Sequence, residues 1–180
     1  GVPMCFVHRA GGALLLHLKE HQLHGNVRDG SRLFYFATCS WVMWNWLASG
    51  LASGAALMLY DGSPFAADNH ILFDYMQAER FTHFGTSAKF IEACAKFELA
   101  PVRTHDTRSV EVLFSTGSPL MAEGYDYVHR AFKPGVHIAS ISRGTDLLGA
   151  FVGGSPVLPV WRGEIQCRQL GMAFEVYDED

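Results

Sequence analysis

The sequence has little excess charge of either sign and few cysteines. Its 180 residues include 14 Lys and Arg against 18 Asp and Glu, a formal net charge of −4, and the basic residues are scattered. Such a chain offers no electrostatic attraction to nucleic acid or to an anionic membrane surface, so we expect neither as a partner. The four cysteines lie far apart, without a C-x-x-C pair. That pattern excludes a disulfide-rich secreted scaffold and indicates reduced thiols in a cytoplasmic protein.

One stretch is apolar enough to be tested as a membrane span. Trp41–Tyr60 is nearly all apolar or small and contains Gly50-x-x-x-Gly54, a helix-pairing pattern in lipid. Against a span stand three polar residues within the run, flanks without a Lys/Arg bias, and two glycines that divide it. We therefore expect a buried helix followed by a buried strand, and no membrane span.

Helical and strand patterns alternate along most of the chain. With 49% hydrophobic and 13% aromatic residues, the sequence can fill the core of one ordinary domain. The alternation predicts an α/β fold in which parallel strands are joined by crossover helices. The predicted strands are 33–36, 55–60, 81–84, 110–114 and 137–140, and the predicted helices are 13–23, 41–48, 71–79, 88–97 and 121–131.

The pattern changes near residue 152. A Gly153-Gly154-Ser155-Pro156 cluster is followed by short β-like segments at 163–167 and 173–177. We therefore predict that residues 1–152 form the α/β part and that residues 153–180 begin a β-rich subdomain of the same domain.

The segment around His17 matches a zinc-protease pattern. His17-Leu-Lys-Glu20-His21 fits H-x-x-E-H, in which two histidines one helical turn apart bind the metal and the glutamate acts as a base. His24 offers a third nitrogen, but no downstream helix supplies an obvious further glutamate. The leucines at 14, 15, 18 and 23 can form the apolar face of the same helix. We therefore favour a solvated polar face for the histidines, with a zinc site as the alternative.

A serine lies where a hydrolase would place its nucleophile. Gly85-Thr-Ser87-Ala-Lys89 stands between a predicted strand and a predicted helix, but Lys89 replaces the second glycine of G-x-S-x-G. The lysine side chain would crowd the strand–helix packing that this glycine permits. We interpret Ser87 as a helix N-cap, with a serine hydrolase as the alternative.

Two loops at the ends of predicted strands carry small and polar residues. Ser115-Thr-Gly-Ser-Pro119 follows one strand, and Ser140-Ile-Ser-Arg-Gly-Thr-Asp146 follows the next. The carboxyl ends of parallel strands meet at one edge of a sheet, where open α/β sheets bind ligands. The hydroxyl of Thr145 beside the carboxylate of Asp146 suits a phosphate group with Mg²⁺. The two loops together therefore predict a ligand site at this edge.

These loops and several other segments resemble the adenylate-forming acyl-CoA synthetases, most closely the branch that activates acetoacetate, over essentially the whole chain. The resemblance implies part of the large N-terminal domain of a cytoplasmic ligase. Acetoacetate would attack the α-phosphate of ATP to give an acyl-adenylate and pyrophosphate, and coenzyme A would then displace AMP. The segments that carry the resemblance are Gly1-Val2-Pro3, His8 with Gly11-Gly12, Trp41–Trp46, Tyr60–Pro64, Ser115–Leu120, Gly144–Asp146 and Gly163–Gln166.

The resemblance also implies residue roles. Thr145 would donate to the α-phosphate and Asp146 would hold Mg²⁺. The adenine and phosphate would be bound by two sets of residues: Gly117, Ser118 and Pro119 on one side, and Ser142, Arg143, Gly144 and Thr145 on the other. A shallow acyl pocket, filled in depth by indoles and so limited to a short acid, would be formed by Trp41, Val42, Met43 and Trp44.

Three positions depart from the family pattern. Met4 stands where a lysine is usual, and Arg143 and Ser40 replace glycines. The Ser/Thr/Gly part of the phosphate loop, the ribose-binding aspartate, the hinge and the C-terminal lid domain with its lysine lie outside the sequence, so we expect an internal fragment that is inactive alone. A non-catalytic nucleotide-binding remnant and another short-chain acyl-CoA synthetase stay open as alternatives.

Overall fold

The computed structural model describes residues 4–178, and its centre is a five-stranded parallel sheet. The strand order is β2-β1-β3-β4-β5, and every neighbouring pair is parallel. The predicted α/β class is therefore confirmed. The strands of this sheet are β1 (Arg32–Tyr35), β2 (Ala56–Met58), β3 (His83–Ser87), β4 (Val112–Thr116) and β5 (His137–Ser140).

Helices connect these strands, and each predicted helix has a counterpart. At the start of the fourth helix the Ser87 hydroxyl accepts a hydrogen bond from the Phe90 amide at 3.2 Å, so the predicted N-cap is confirmed. The helices are α1 (Ala10–Lys19, continued by a π-helical turn, Glu20–His24), α2 (Val42–Ser49, continued by a 3₁₀ turn, Gly50–Ser53), α3 (Ile71–Ala78), α4 (Ala88–Lys96), α5 (Pro101–Thr104) and α6 (Ala122–Tyr127, continued by a π-helical turn, Val128–Phe132).

Both faces of the parallel sheet are buried, because successive strand side chains alternate between two apolar clusters. Phe34 and Leu113 point into the cluster that α3, α4 and α6 cover. Their chain neighbours Tyr35 and Phe114 point into the opposite cluster, beneath α2 and its Trp46. A sheet covered on both faces leaves its strand ends as the accessible edge for a ligand.

The predicted solvated histidine face of α1 is wrong. His17, Glu20, His21 and His24 are buried, whereas Leu15 and Leu23 are 70% and 56% exposed. The polar face packs inward because α2 and the segment 148–154 offer hydrogen-bond partners to each of its side chains. Burial of polar groups is tolerated when they are paired in this way.

A second, antiparallel sheet follows the first directly. Its strands are β6 (Ser142–Gly144), β7 (Gly149–Gly153) and β8 (Cys167–Arg168), in the order β6-β7-β8. This sheet begins before residue 153, and the predicted segment 163–167 becomes a strand only at its last residue. The predicted strand at 173–177 is wrong: that segment has no strand neighbour in the described part of the chain, and its Val176 and Tyr177 are mostly exposed.

Within residues 4–178, no helix combines the length and the apolar character that crossing a membrane would need. The apolar run 41–60 is divided between α2, its 3₁₀ turn and β2. Gly54 ends the turn with a positive φ of 75°, which separates the helix from the strand.

Candidate active site

An open cavity of about 350 Å³ lies at the carboxyl ends of β4 and β5. It is the place where the two predicted loops meet the start of α2 and the second sheet. The lining residues are Trp41, Val42, Thr116, Gly117, Ser118, Pro119, Ser140, Ile141, Ser142, Arg143, Thr145 and Ile165. Four groups of residues that lie far apart in the sequence thus share one cavity.

The loop after β4 is shaped by Gly117. Its φ of +89° is a conformation that side chains other than glycine rarely adopt. The preceding Thr116 donates its hydroxyl to the Ile141 carbonyl at 2.8 Å, which ties this loop to the one after β5. Gly117, Ser118 and Pro119 therefore form one fixed part of the cavity wall, and Ser142 and Arg143 form another part.

Arg143 reaches from β6 beneath the start of α2. Its Nη2 donates to the Leu148 carbonyl at 3.0 Å, and its Nη1 lies 2.6 Å from the Met43 sulfur. Its Nε is buried without a hydrogen-bond partner, and in residues 4–178 no carboxylate forms an ion pair with it. Burial lowers the pKa of its guanidinium, opposed by the nearby Glu20 carboxylate. The side chain thus brings an unpaired cation to the cavity wall.

Thr145 borders two cavities. Besides the first, it lines a neighbouring cavity of about 270 Å³ together with Trp41, Val42 and the exposed Met4. Asp146 follows on the same turn, exposed to solvent and outside both linings. Gly144 ends β6 just before this turn. Gly1-Val2-Pro3, the predicted end of a phosphate loop, lies outside the described residues.

The four predicted acyl-pocket residues do not all face the cavity. Trp41 and Val42 line it, but Met43 is fully buried in the core, and Trp44 packs against the cluster beneath α2. The reason is helical geometry: successive residues of α2 point about 100° apart, so four in a row cannot share one side. Only the first two therefore stand at the cavity.

Ile165 also lines the cavity, although the sequence predicted no role for it in a site. It belongs to the segment between β7 and β8, which folds back against α6 and β5. Tyr125 donates its hydroxyl to the Glu164 carbonyl at 2.6 Å, and His137 donates from Nε2 to the side-chain amide oxygen of Gln166 at 2.8 Å. No local pattern marks this contact, because it depends on two distant elements that hold the segment in place.

The residues present fit a magnesium ion only together with a bound phosphate. In residues 4–178 no group of three or more His, Cys, Asp or Glu side chains is arranged to hold a metal. Asp146 supplies one free carboxylate beside the Thr145 hydroxyl. Mg²⁺ commonly takes one or two protein carboxylates and completes its shell with phosphate oxygens and water. This donor set therefore suits Mg²⁺ carried by a nucleotide.

Sequence comparison identifies the family. The sequence model of the AMP-binding enzyme family matches residues 4–141, which is most of the chain. The chain belongs to this family. Both loops that line the cavity follow strands that lie within the matched region, β4 and β5.

Individual relatives are similar over the whole chain. The acetoacetyl-coenzyme A synthetase of Rhizobium meliloti (strain 1021) is 59% identical over all 180 residues, which are 28% of its length. The acetoacetyl-CoA synthetase of Mus musculus is 47% identical over the whole chain and 27% of its own length. The structure of acetoacetyl-CoA synthetase from Streptomyces lividans has a TM-score of 0.91 at 39% identity and covers 99% of this chain and 28% of its own. This member of the AMP-binding enzyme family thus spans little more than a quarter of the length of these relatives.

Proposed function

We propose that the protein containing this chain is an AMP-forming acetoacetate–CoA ligase of the cytoplasm, acting in lipid and ketone-body metabolism. The observation that carries the proposal is the shared cavity. It joins Trp41 and Val42, the loop 117–119 and the turn after β6, which are the acyl, adenine and phosphate regions that the family resemblance implies. The names of the relatives support acetoacetate as the acid.

The residues of the cavity would bind and orient ATP. The adenine ring would lie between the loop 117–119 and the pair Ser142 and Arg143, all of which line the cavity. The Thr145 hydroxyl would donate to an oxygen of the α-phosphate, where negative charge develops during attack. Asp146 would hold Mg²⁺, which when bound neutralises charge on the phosphates.

The reaction would proceed in two displacements. A carboxylate oxygen of acetoacetate attacks the α-phosphorus, and the bond to pyrophosphate breaks to give the acyl-adenylate. The sulfur of coenzyme A then attacks the acyl carbon, and AMP leaves with the bonding electron pair. Trp41 and Val42 would hold the acid at the α-phosphate, because orientation in a fixed site lowers the barrier to such a reaction.

The first step can be tested by acetoacetate-dependent exchange of labelled pyrophosphate into ATP, using the full-length product of the gene. We expect exchange in the natural protein and a loss on the order of 100-fold in Asp146→Asn, because that change removes the carboxylate proposed to carry the cation. The exposed Glu92 of α4 provides a matched control, and Glu92→Gln should leave the rate unchanged.

Two results would contradict the proposal. A wild-type protein that binds ATP but catalyses no exchange would be a nucleotide-binding protein without the ligase activity. Exchange that is faster with another short acid than with acetoacetate would assign a different acyl substrate to the same site.

A further inference from the structure

The buried H-x-x-E-H segment of α1 touches the turn proposed to carry the phosphate. This turn runs from Thr145 to Leu148 and is closed by a hydrogen bond from the Leu148 amide to the Thr145 carbonyl at 3.1 Å. Leu148 has a φ of +61°, an unfavourable conformation for a residue with a side chain. Strain of this kind persists where surrounding contacts determine the backbone. The contacts that do so come from α1 and Arg143.

His17 supplies the first contact. Its Nε2 lies 2.9 Å from the Leu148 carbonyl oxygen, which can only accept, so Nε2 carries the proton and donates. Its Nδ1 then carries no proton and lies 2.9 Å from the Ser49 hydroxyl of α2, which can donate either to this nitrogen or to the Trp46 carbonyl at 2.7 Å. Burial lowers the pKa of His17, which favours this neutral form. The Leu148 carbonyl also accepts a hydrogen bond from Arg143 Nη2, so two donors fix Leu148.

Glu20 supplies the second contact. One carboxylate oxygen accepts from the Ala150 amide of β7 at 2.8 Å, and the other accepts from the Trp46 indole of α2 at 3.0 Å. The carboxylate therefore joins the helix whose first turn borders the cavity to the strand that follows the phosphate turn. Charge-assisted bonds of this kind are shorter and stronger than neutral ones.

Close approach of α1 to β7 requires a glycine at position 149. A Cβ there would lie 2.7 Å from the Leu16 side chain and 2.9 Å from the Glu20 carboxylate. One turn further on, His24 donates from Nδ1 to the Gly154 carbonyl at 2.8 Å and accepts at Nε2 from the Leu170 amide at 3.0 Å. The polar face of α1 and its π-helical turn is thus bonded along β7, from Leu148 just before this strand to Gly154 just after it.

We propose that His17 and Glu20 are positioning residues that hold the turn Thr145–Leu148 and the start of β7 against α2. The inference rests on the proposed function, because it assigns Thr145 and Asp146 to the phosphate. In this arrangement Nε2 of His17 and Nε2 of His21 donate to protein carbonyls, and Nδ1 of His17 faces the Ser49 hydroxyl, so these three nitrogens have protein partners rather than a metal. His17 and Glu20 together set the distance between the turn Thr145–Leu148 and the acyl side of the cavity.

Three variants of the full-length product test the inference. Glu20→Gln keeps the shape of the side chain but leaves only one acceptor oxygen. Its amide N–H then faces one of the two N–H donors, the Ala150 amide or the Trp46 indole. His17→Phe removes both ring bonds, and His17→Gln retains one amide donor that can reach the Leu148 carbonyl. His129→Gln, in the π-helical turn after α6, is the matched control away from the site.

We expect Glu20→Gln and His17→Phe to lower kcat of pyrophosphate exchange by about 10- to 100-fold, with an unchanged KM for acetoacetate. His17→Gln should recover most of the kcat that His17→Phe loses. Hydrogen exchange at the Ala150 amide should become faster in Glu20→Gln, because its acceptor is weakened. This last readout does not depend on activity.

Faster exchange at Ala150 with an unchanged kcat would overturn the positioning role. So would equal losses in His17→Gln and His17→Phe, or a fall in melting temperature that leaves the kinetic constants unaltered. If the natural protein catalyses no pyrophosphate exchange, the proposed function fails, and hydrogen exchange decides the inference alone. An unchanged exchange rate at Ala150 in Glu20→Gln then refutes the positioning role, and a faster rate supports it.

Discussion

Acid should destabilise this fold through His21, and the effect can be worked out from its surroundings. His21 is fully buried, donates from Nε2 to the Trp46 carbonyl at 2.8 Å, and lies 4.0 Å from the indole ring between centroids. Its Nδ1 is buried without a hydrogen-bond partner, so a proton added there would find no acceptor. Burial lowers the pKa of His21 from 6.5 to about 3.

The direction in which stability changes with pH follows from the direction of this pKa change. The unfolded chain takes up a proton below pH 6.5, whereas the folded imidazole stays neutral until about pH 3. The unfolded state therefore binds more protons between these values, and stability falls as the pH falls. Each pH unit below 6.5 costs about 1.36 kcal/mol, so lowering the pH from 7.5 to 5 costs about 2 kcal/mol from this residue alone.

The perturbation is His21→Gln, which has no titratable group. The free energy of unfolding is measured at pH 7.5 and pH 5 by urea titration, followed by tryptophan fluorescence because Trp46 contacts the site. We expect the decrease in the free energy of unfolding between pH 7.5 and pH 5 to be about 2 kcal/mol smaller in His21→Gln than in the natural protein. His129→Gln, which changes a residue outside the buried network, should keep the wild-type pH dependence. Equal losses in His21→Gln and the natural protein would refute the reasoning.

Three further predictions concern stability and thiol chemistry. Ser87→Ala removes the cap of α4 and should cost about 1 kcal/mol, seen as a lower melting temperature. Gly149→Ala should cost about 1–3 kcal/mol because its methyl group would meet α1, whereas Gly11→Ala, in open space, should not destabilise the protein. Cys94 is buried and burial raises its thiol pKa to about 12, so mass spectrometry should show iodoacetamide labelling the exposed Cys39 first. Faster labelling of Cys94 would contradict its burial.

The parallel sheet could be predicted from the sequence because its signals are local. Continuous apolar runs mark strands that are buried on both faces, and turn clusters separate them from the helices. Ser87 is likewise read from its neighbours, since an N-cap bonds within its own first turn. The two ligand loops could be predicted for a related reason. The carboxyl ends of adjacent parallel strands lie at the same edge of the sheet, whatever the order of the strands in the chain.

Which face of a helix is buried could not be predicted in the same way. The leucines of α1 gave an apolar face by periodicity, yet the structure buries Glu20 and its neighbouring histidines instead. Nothing within the helix reveals that Trp46, Leu148, Ala150 and Gly154 offer partners to these groups. A polar side chain is buried at low cost only when such partners exist, and they are supplied by distant segments.

The sequence by itself determined the order of strands and helices, the cap of α4 and the two loops that meet at the sheet edge. Only the tertiary structure decided that Trp41 and Val42 border the cavity while Met43 enters the core, and that Ile165 closes it from a distant segment. The physical reason is the range of the interactions. Backbone propensity and capping act over a few residues, whereas burial and hydrogen-bond satisfaction depend on which elements the fold brings together.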